Sequence, residues 1–145
     1  MTNEEEYANI SNELELQQSK GEAIRQQIQA MQSNIMEIGA AMDAVKNLPK
    51  VKGDTLVPIG AGVFMSCPKP DAEKVIMSIG AGIMVQKKPE DALKLLEDRQ
   101  KKMTDAINAA QGDLSEVANA MEQLTERAQM IGAAEERANV RASKE

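Results

Sequence analysis

Histidine and tryptophan are absent, and the 145 residues hold one phenylalanine, one tyrosine and one cysteine. Without histidine the chain lacks the commonest general base and metal ligand. Without large rings it cannot fill a broad core. Its apolar residues are Ala, Met, Ile, Leu and Val, diluted with Glu, Gln and Lys, a mixture that suits long helices better than a globule. Cys67 has no second cysteine to pair with, and it reads as a small apolar residue near a strand end. The formal charge is −6 and no dense Lys/Arg cluster stands out, which argues against nucleic acid as a partner. No apolar run approaches membrane-spanning length, so no membrane association is expected. The opening "MTNEEEYANI" is acidic and lacks an apolar signal segment, which makes the cytoplasm the expected compartment. Asn9-Ile10-Ser11 matches a glycosylation sequon, read here as chance.

What is present begins with two heptad columns. In the first third, apolar positions fall at steps of three and four: Tyr7, Ile10, Leu14, Gln17, Gly21, Ile24, Ile28, Met31, Ile35, Ile38, Met42 and Val45. Pro49 and Gly53 end this helix. In the last third Pro89 suits a first helical position, and Glu90 and Asp91 complement the helix dipole. The column there runs Leu93, Leu96, Gln100, Met103, Ile107, Ala110, Leu114, Val117, Met121, Leu124, Ala128 and Ile131. Each seam is about 57 Å long at 1.5 Å per residue. Matched lengths favour an antiparallel fold-back within one chain, with Val45 near Leu93 and Tyr7 near Ile131. Pairing between chains is the alternative. Towards the termini Gln17 and Gly21 weaken the seam on one side and Ala128, then Glu135, on the other, and a looser free end is expected there.

The middle third changes period. Val57, Ile59, Val63 and Met65 alternate with their neighbours, as do Val75, Met77, Ile79, Ile83 and Val85. Two copies of Ile-Gly-Ala-Gly interrupt these runs. Gly60-Ala61-Gly62 and Gly80-Ala81-Gly82 are expected as three-residue hairpin loops, with the glycines at Gly60, Gly62, Gly80 and Gly82 supplying left-handed positions. Ile59 should then pair with Val63, Val57 with Met65, Ile79 with Ile83 and Met77 with Val85. A phosphate-binding loop fits poorly, because a third glycine and a following Gly-Lys-Ser/Thr are missing. Lone hairpins are marginal and their edges invite pairing. Phe64, Ile76 and Met84 add a second apolar face, so the strands are expected to meet strands of other chains.

The expected fold class is therefore α+β. A long antiparallel two-helix coiled coil carries two central β-hairpins that oligomerise into a β-barrel hub. Residues 1–48 form the N-terminal helix, 54–87 the double-hairpin oligomerisation module and 89–140 the C-terminal helix, as one continuous structural unit. No catalytic apparatus is evident. Acidic pairs such as Glu97/Asp98 and Glu135/Glu136 belong to solvated helix faces, and neither enzyme activity nor a cofactor is expected.

Two heptad helices around "LVPIGAGVF" and "VIMSIGAGIMVQKKPEDA" resemble the archaeal prefoldin alpha subunit over nearly the whole chain. The doubled Ile-Gly-Ala-Gly after Leu56-Val57-Pro58 is the most specific part, and twin hairpins match the alpha rather than the beta class. The resemblance implies a hexamer of two alpha and four beta subunits and an ATP-independent cytosolic chaperone. It would hold non-native proteins at coiled-coil tips and pass them to a group II chaperonin. The candidate tip residues are Tyr7, Ile10, Leu14, Met130, Ile131 and Val140, of which Tyr7, Ile10, Leu14 and Ile131 could equally complete the seam. Two other readings are a structural coiled-coil scaffold without client holding and a periplasmic holdase, the latter disfavoured by the missing signal segment.

Overall fold

A computed structural model describes residues 2–144. Helix α1 spans Asn3–Asn47 and closes through one 3-10 turn at Leu48–Lys50. Four strands follow, β1 (Thr55–Gly60), β2 (Val63–Cys67), β3 (Val75–Ser78) and β4 (Met84–Lys87), and helix α2 spans Pro89–Ala142. The class is α+β as expected, with β1–β2 and β3–β4 forming separate antiparallel hairpins.

The helix ends have identifiable causes. Thr2 and Glu5 form a reciprocal capping box at the start of α1: the Thr2 N–H donates to Glu5 Oε2 at 2.9 Å and the Glu5 N–H to Thr2 Oγ1 at 3.2 Å. Pro49 sits in the 3-10 turn, where the Val51 N–H bonds the Leu48 carbonyl at 3.2 Å. Proline cannot donate to a continuing α-helix, so α1 tightens and stops there.

The chain divides into two compact units. The first combines the described residues up to Met31 with those from Ala106 onward. Its helices run antiparallel, since Glu6 lies beside Arg127 while Gly21 lies beside Leu114 and Val117. Ile10, Ile24 and Ile28 of α1 and Ile107, Ala110 and Val117 of α2 are buried between them. The second unit is Gln32–Asp105 and contains both hairpins with the adjoining helix segments. Met42, Ala92 and Leu96 form its buried core.

Every position of the two heptad columns is buried or half-buried except Tyr7. That includes the weak places. Gln17 is half-buried with its amide donating to Glu13 Oε1 at 3.1 Å, and Ala128 and Ile131 are half-buried too. The seam thus stays covered as far as Ile131, while Glu135 and every other described residue from Gly132 onward are exposed. Gly21 explains part of the cover, because a Cβ there would lie 3.3 Å from Val117 Cγ1. The missing side chain lets the helices approach, and close packing against the bare backbone supplies the dispersion attraction that a larger knob would otherwise give.

Two kinds of glycine should therefore respond oppositely to substitution. Gly112 and Gly132 are exposed in α2, and no atom lies within 4 Å of where a Cβ would stand at either. Gly112→Ala and Gly132→Ala should each stabilise the fold by about 0.5–1 kcal/mol through helix propensity. Gly21→Leu should destabilise it by about 1–3 kcal/mol through overpacking. Denaturant unfolding followed by circular dichroism reads both signs.

Candidate assembly and binding surfaces

The first hairpin pairs Thr55 with Cys67, Leu56 with Ser66, Val57 with Met65 and Pro58 with Phe64. Beyond Pro58 the register shifts, and Val63 pairs with Gly60. The expected Ile59–Val63 pair therefore does not form; Ile59 is taken up in the bulge. The loop is also tighter than the three residues expected, leaving Ala61 and Gly62 between the paired Gly60 and Val63. Their φ values, 50° and 78°, are both positive, as a two-residue type I′ hairpin turn requires. Gly60, at φ 133°, absorbs the bulge.

The second hairpin repeats the device. Val75 pairs with Lys87, Ile76 with Gln86, Met77 with Val85 and Ser78 with Met84. The Ile79 N–H donates to the Ile83 carbonyl at 3.0 Å, and the Ile83 N–H donates to the Gly80 carbonyl at 2.9 Å. Ala81 and Gly82 again have positive φ, 52° and 74°, with Gly80 at 102°. The repeated tetrapeptide thus encodes one bulged turn twice. Glycine occupies the first and last of its three positions without a Cβ penalty, while alanine bears the strain in the middle.

The hairpins differ in cover. On β1–β2 both faces are bare beyond the half-buried Thr55–Cys67 pair: Val57 is 41% and Met65 50% exposed on one, Leu56 68% and Phe64 58% on the other. Ile59 and Val63 are exposed as well. On β3–β4 one face, Val75, Met77 and Val85, is half-buried, while Ile76 and Met84 on the other face are exposed. Ile79 and Ile83 beside the turn are exposed too. Strands with unpaired edges and bare apolar faces are surfaces for adding further strands.

Other exposed apolar side chains lie in the first unit, where the start of α1 runs beside α2 and α2 continues beyond the seam with every described residue from Gly132 onward exposed. Arg127 donates through Nε at 3.0 Å, and through Nη2, to Glu6 Oε1, tying α2 to α1. The six residues named from the sequence separate here. Ile10 is buried, and Leu14 and Ile131 are half-buried, so these three pack in the seam. Ile10 is thereby withdrawn from any surface of this closed arrangement. Tyr7, Met130 and Val140 are 56%, 71% and 48% exposed. Leu16 and Met36 are also exposed on α1, off the column, and were not singled out by the heptad reading. No group of three or more His, Cys, Asp or Glu among the described residues is placed to hold a metal ion. No described helix is long and apolar enough to cross a membrane.

Comparison with known proteins agrees with this architecture. A family model described as "Prefoldin subunit" matches residues 17–134. The prefoldin subunit alpha of Pyrococcus horikoshii is 28% identical over 132 residues, covering 89% of each chain. That of Methanobrevibacter smithii is 26% identical over 134 residues, covering 92% of each. Among solved structures, a chain of filamentous PFD from Methanocaldococcus jannaschii superposes with a TM-score of 0.70 at 23% identity. The match covers 78% of this chain and 95% of that one, and it speaks for the fold.

The strained alanines give a direct test of the turns. Ala61→Asn and Ala81→Asn should raise the unfolding midpoint, because Asn tolerates the left-handed region. Ala61→Val and Ala81→Val should each cost about 1–2 kcal/mol, with the order Asn above Ala above Val read by thermal denaturation.

Proposed function

The chain belongs to the prefoldin family, among relatives that are its alpha subunits, and we propose that this chaperone subunit holds non-native proteins without ATP on apolar side chains near the start of α1 and the end of α2. In this reading it assembles through β1–β4 with beta-class subunits, two alpha with four beta, around a shared β-barrel, and hands its clients to a group II chaperonin. The module 54–87 serves assembly alone. The observation that carries client holding is the exposure of Tyr7 and Met130 beside the covered seam and of Val140 on the stretch of α2 beyond Ile131, where every described residue is exposed.

The energetics favour reversible holding. About 100–200 Å² of apolar surface at one such site contributes about 2.5–5 kcal/mol at ~25 cal/mol per Å², before the cost of ordering both partners. One subunit grips weakly. Several subunits touching the same unfolded chain bind it through effective concentration, and each can let go singly. Nothing in such a cycle needs nucleotide hydrolysis, since capture and release follow from the client's own burial of apolar surface.

Assembly rests on the bare hairpin faces. A strand surface exposed on both sides in the single chain loses solvent only when other strands cover it, and Val57, Met65, Leu56 and Phe64 supply the apolar area. A scaffold without client holding would need the same hairpins but not the exposed side chains at the helix ends.

The triple variant Tyr7→Ser, Met130→Ser, Val140→Ser should form a complex of unchanged mass with the beta-class subunit yet lose most suppression of aggregation of a denatured client protein. Undiminished suppression would favour the scaffold. The pair Val57→Asp and Ile79→Asp should instead release monomers or dimers on a sizing column, because each carboxylate would have to be desolvated between strands. A full-size complex from that variant would overturn strand-mediated assembly.

A further inference from the structure

The two hairpins are attached to the chain differently. β1 follows α1 through the 3-10 turn and residues 51–54, and β2 leads to β3 through residues 68–74. β4 ends at Lys87 and α2 begins at Pro89, so Lys88 alone separates them. The Lys88 carbonyl already accepts the first helical hydrogen bond, from the Ala92 N–H at 3.0 Å. The hairpin and the helix therefore share a junction with almost no slack.

A second attachment lies further along the helix. Arg99 Nη2 donates to the carbonyl of Ser78, the last residue of β3, at 3.0 Å. Arg99 stands in one row of α2 with Pro89, Ala92 and Leu95, at steps of three, three and four. This row runs beside the seam column, yet Ala92 is only 1% exposed and Pro89 and Leu95 are half-buried. The half-buried face of β3–β4 is the complementary observation, for no residue from Leu56 to Met65 in the first hairpin has such cover.

We infer that Arg99 is a positioning residue for assembly, pinning β3–β4 against the first turns of α2 so that Ile76 and Met84 face outward, ready for a strand of another subunit. The inference rests on the assembly role proposed above and adds an order to it. The second hairpin is the preformed docking surface, and the first, bare on both faces, seats once partner strands are present. Preformed surfaces lose less freedom on binding. A subunit whose competent form is partly populated binds more weakly in proportion. Arginine suits the post because its apolar stem can lie along the Ala92–Leu95 row while its fork reaches a carbonyl.

The test uses the full chain carrying Arg99→Met or Arg99→Lys, alone and mixed with the beta-class subunit. In the single chain, Arg99→Met should speed amide hydrogen exchange at Met77 and Ile79 by about three- to tenfold, the range a weakened charged hydrogen bond allows. Association with the beta-class subunit should slow by a similar factor. Dissociation of the finished complex should stay within about twofold of wild type, because partner strands then hold the hairpin. Arg99→Lys should recover part of both effects, and Lys101→Met, an exposed position on the same helix, should change neither. Unchanged exchange and association in Arg99→Met would overturn the inference. Failure of the wild-type chain to form any complex would instead overturn the assembly role, and the exchange measurement in the single chain keeps the two failures distinct.

Discussion

The chain has more apolar strand surface than its helices can cover, and the rest of the structure follows from that imbalance. A heptad helix offers one narrow stripe, and here the stripes of α1 and α2 are consumed by each other: every column position but Tyr7 is at least half-buried. Little apolar helix surface is left for β1–β4. Two-stranded hairpins gain too little by themselves to stand alone in water. Their stability then depends on the concentration of whatever covers them, so folding of this segment and association of subunits become one equilibrium. The exposure of Leu56, Val57, Phe64 and Met65 on opposite faces of one hairpin is the visible form of that coupling.

Much of this was legible in the residues, for reasons that can be stated. Period is preserved through folding, so the heptad columns predicted which side chains would be covered along both helices. The glycine doublets predicted two similar turns. The details that escaped are those where one residue changes the count. A bulge at Ile59 shifts Val63 onto Gly60, and alternation of apolar residues reads the same with or without it. The Thr2–Glu5 capping box had a sequence signature, Thr-x-x-Glu, that the seam-based reading passed over. The Glu6–Arg127 pair had none, because its partners are 121 residues apart and only the antiparallel register brings them together. Arg99 was equally silent. A charged residue next to an apolar seam is ordinary, and its carbonyl partner belongs to the backbone of Ser78.

The same register resolves a conflict in the way the helix ends are used. Side chains that close a coiled coil cannot simultaneously be offered to a client. Ile10 and Ile131 close it. Successive residues on a helix point about 100° apart, so Met130 is turned away from the seam that Ile131 occupies, and the proposed holding role falls on a position next to the one that closes the seam without competing with it. Glu6 and Arg127 bridge the helices beside Ile10, but Arg127 is largely in solvent, and an exposed pair of this kind contributes at most about 1 kcal/mol. The closure is thus weak by construction. Apolar packing sets the alignment of the helices and the ion pair only trims their ends, so its loss costs little while Ile24, Ile28 and Ile107 keep the pairing intact.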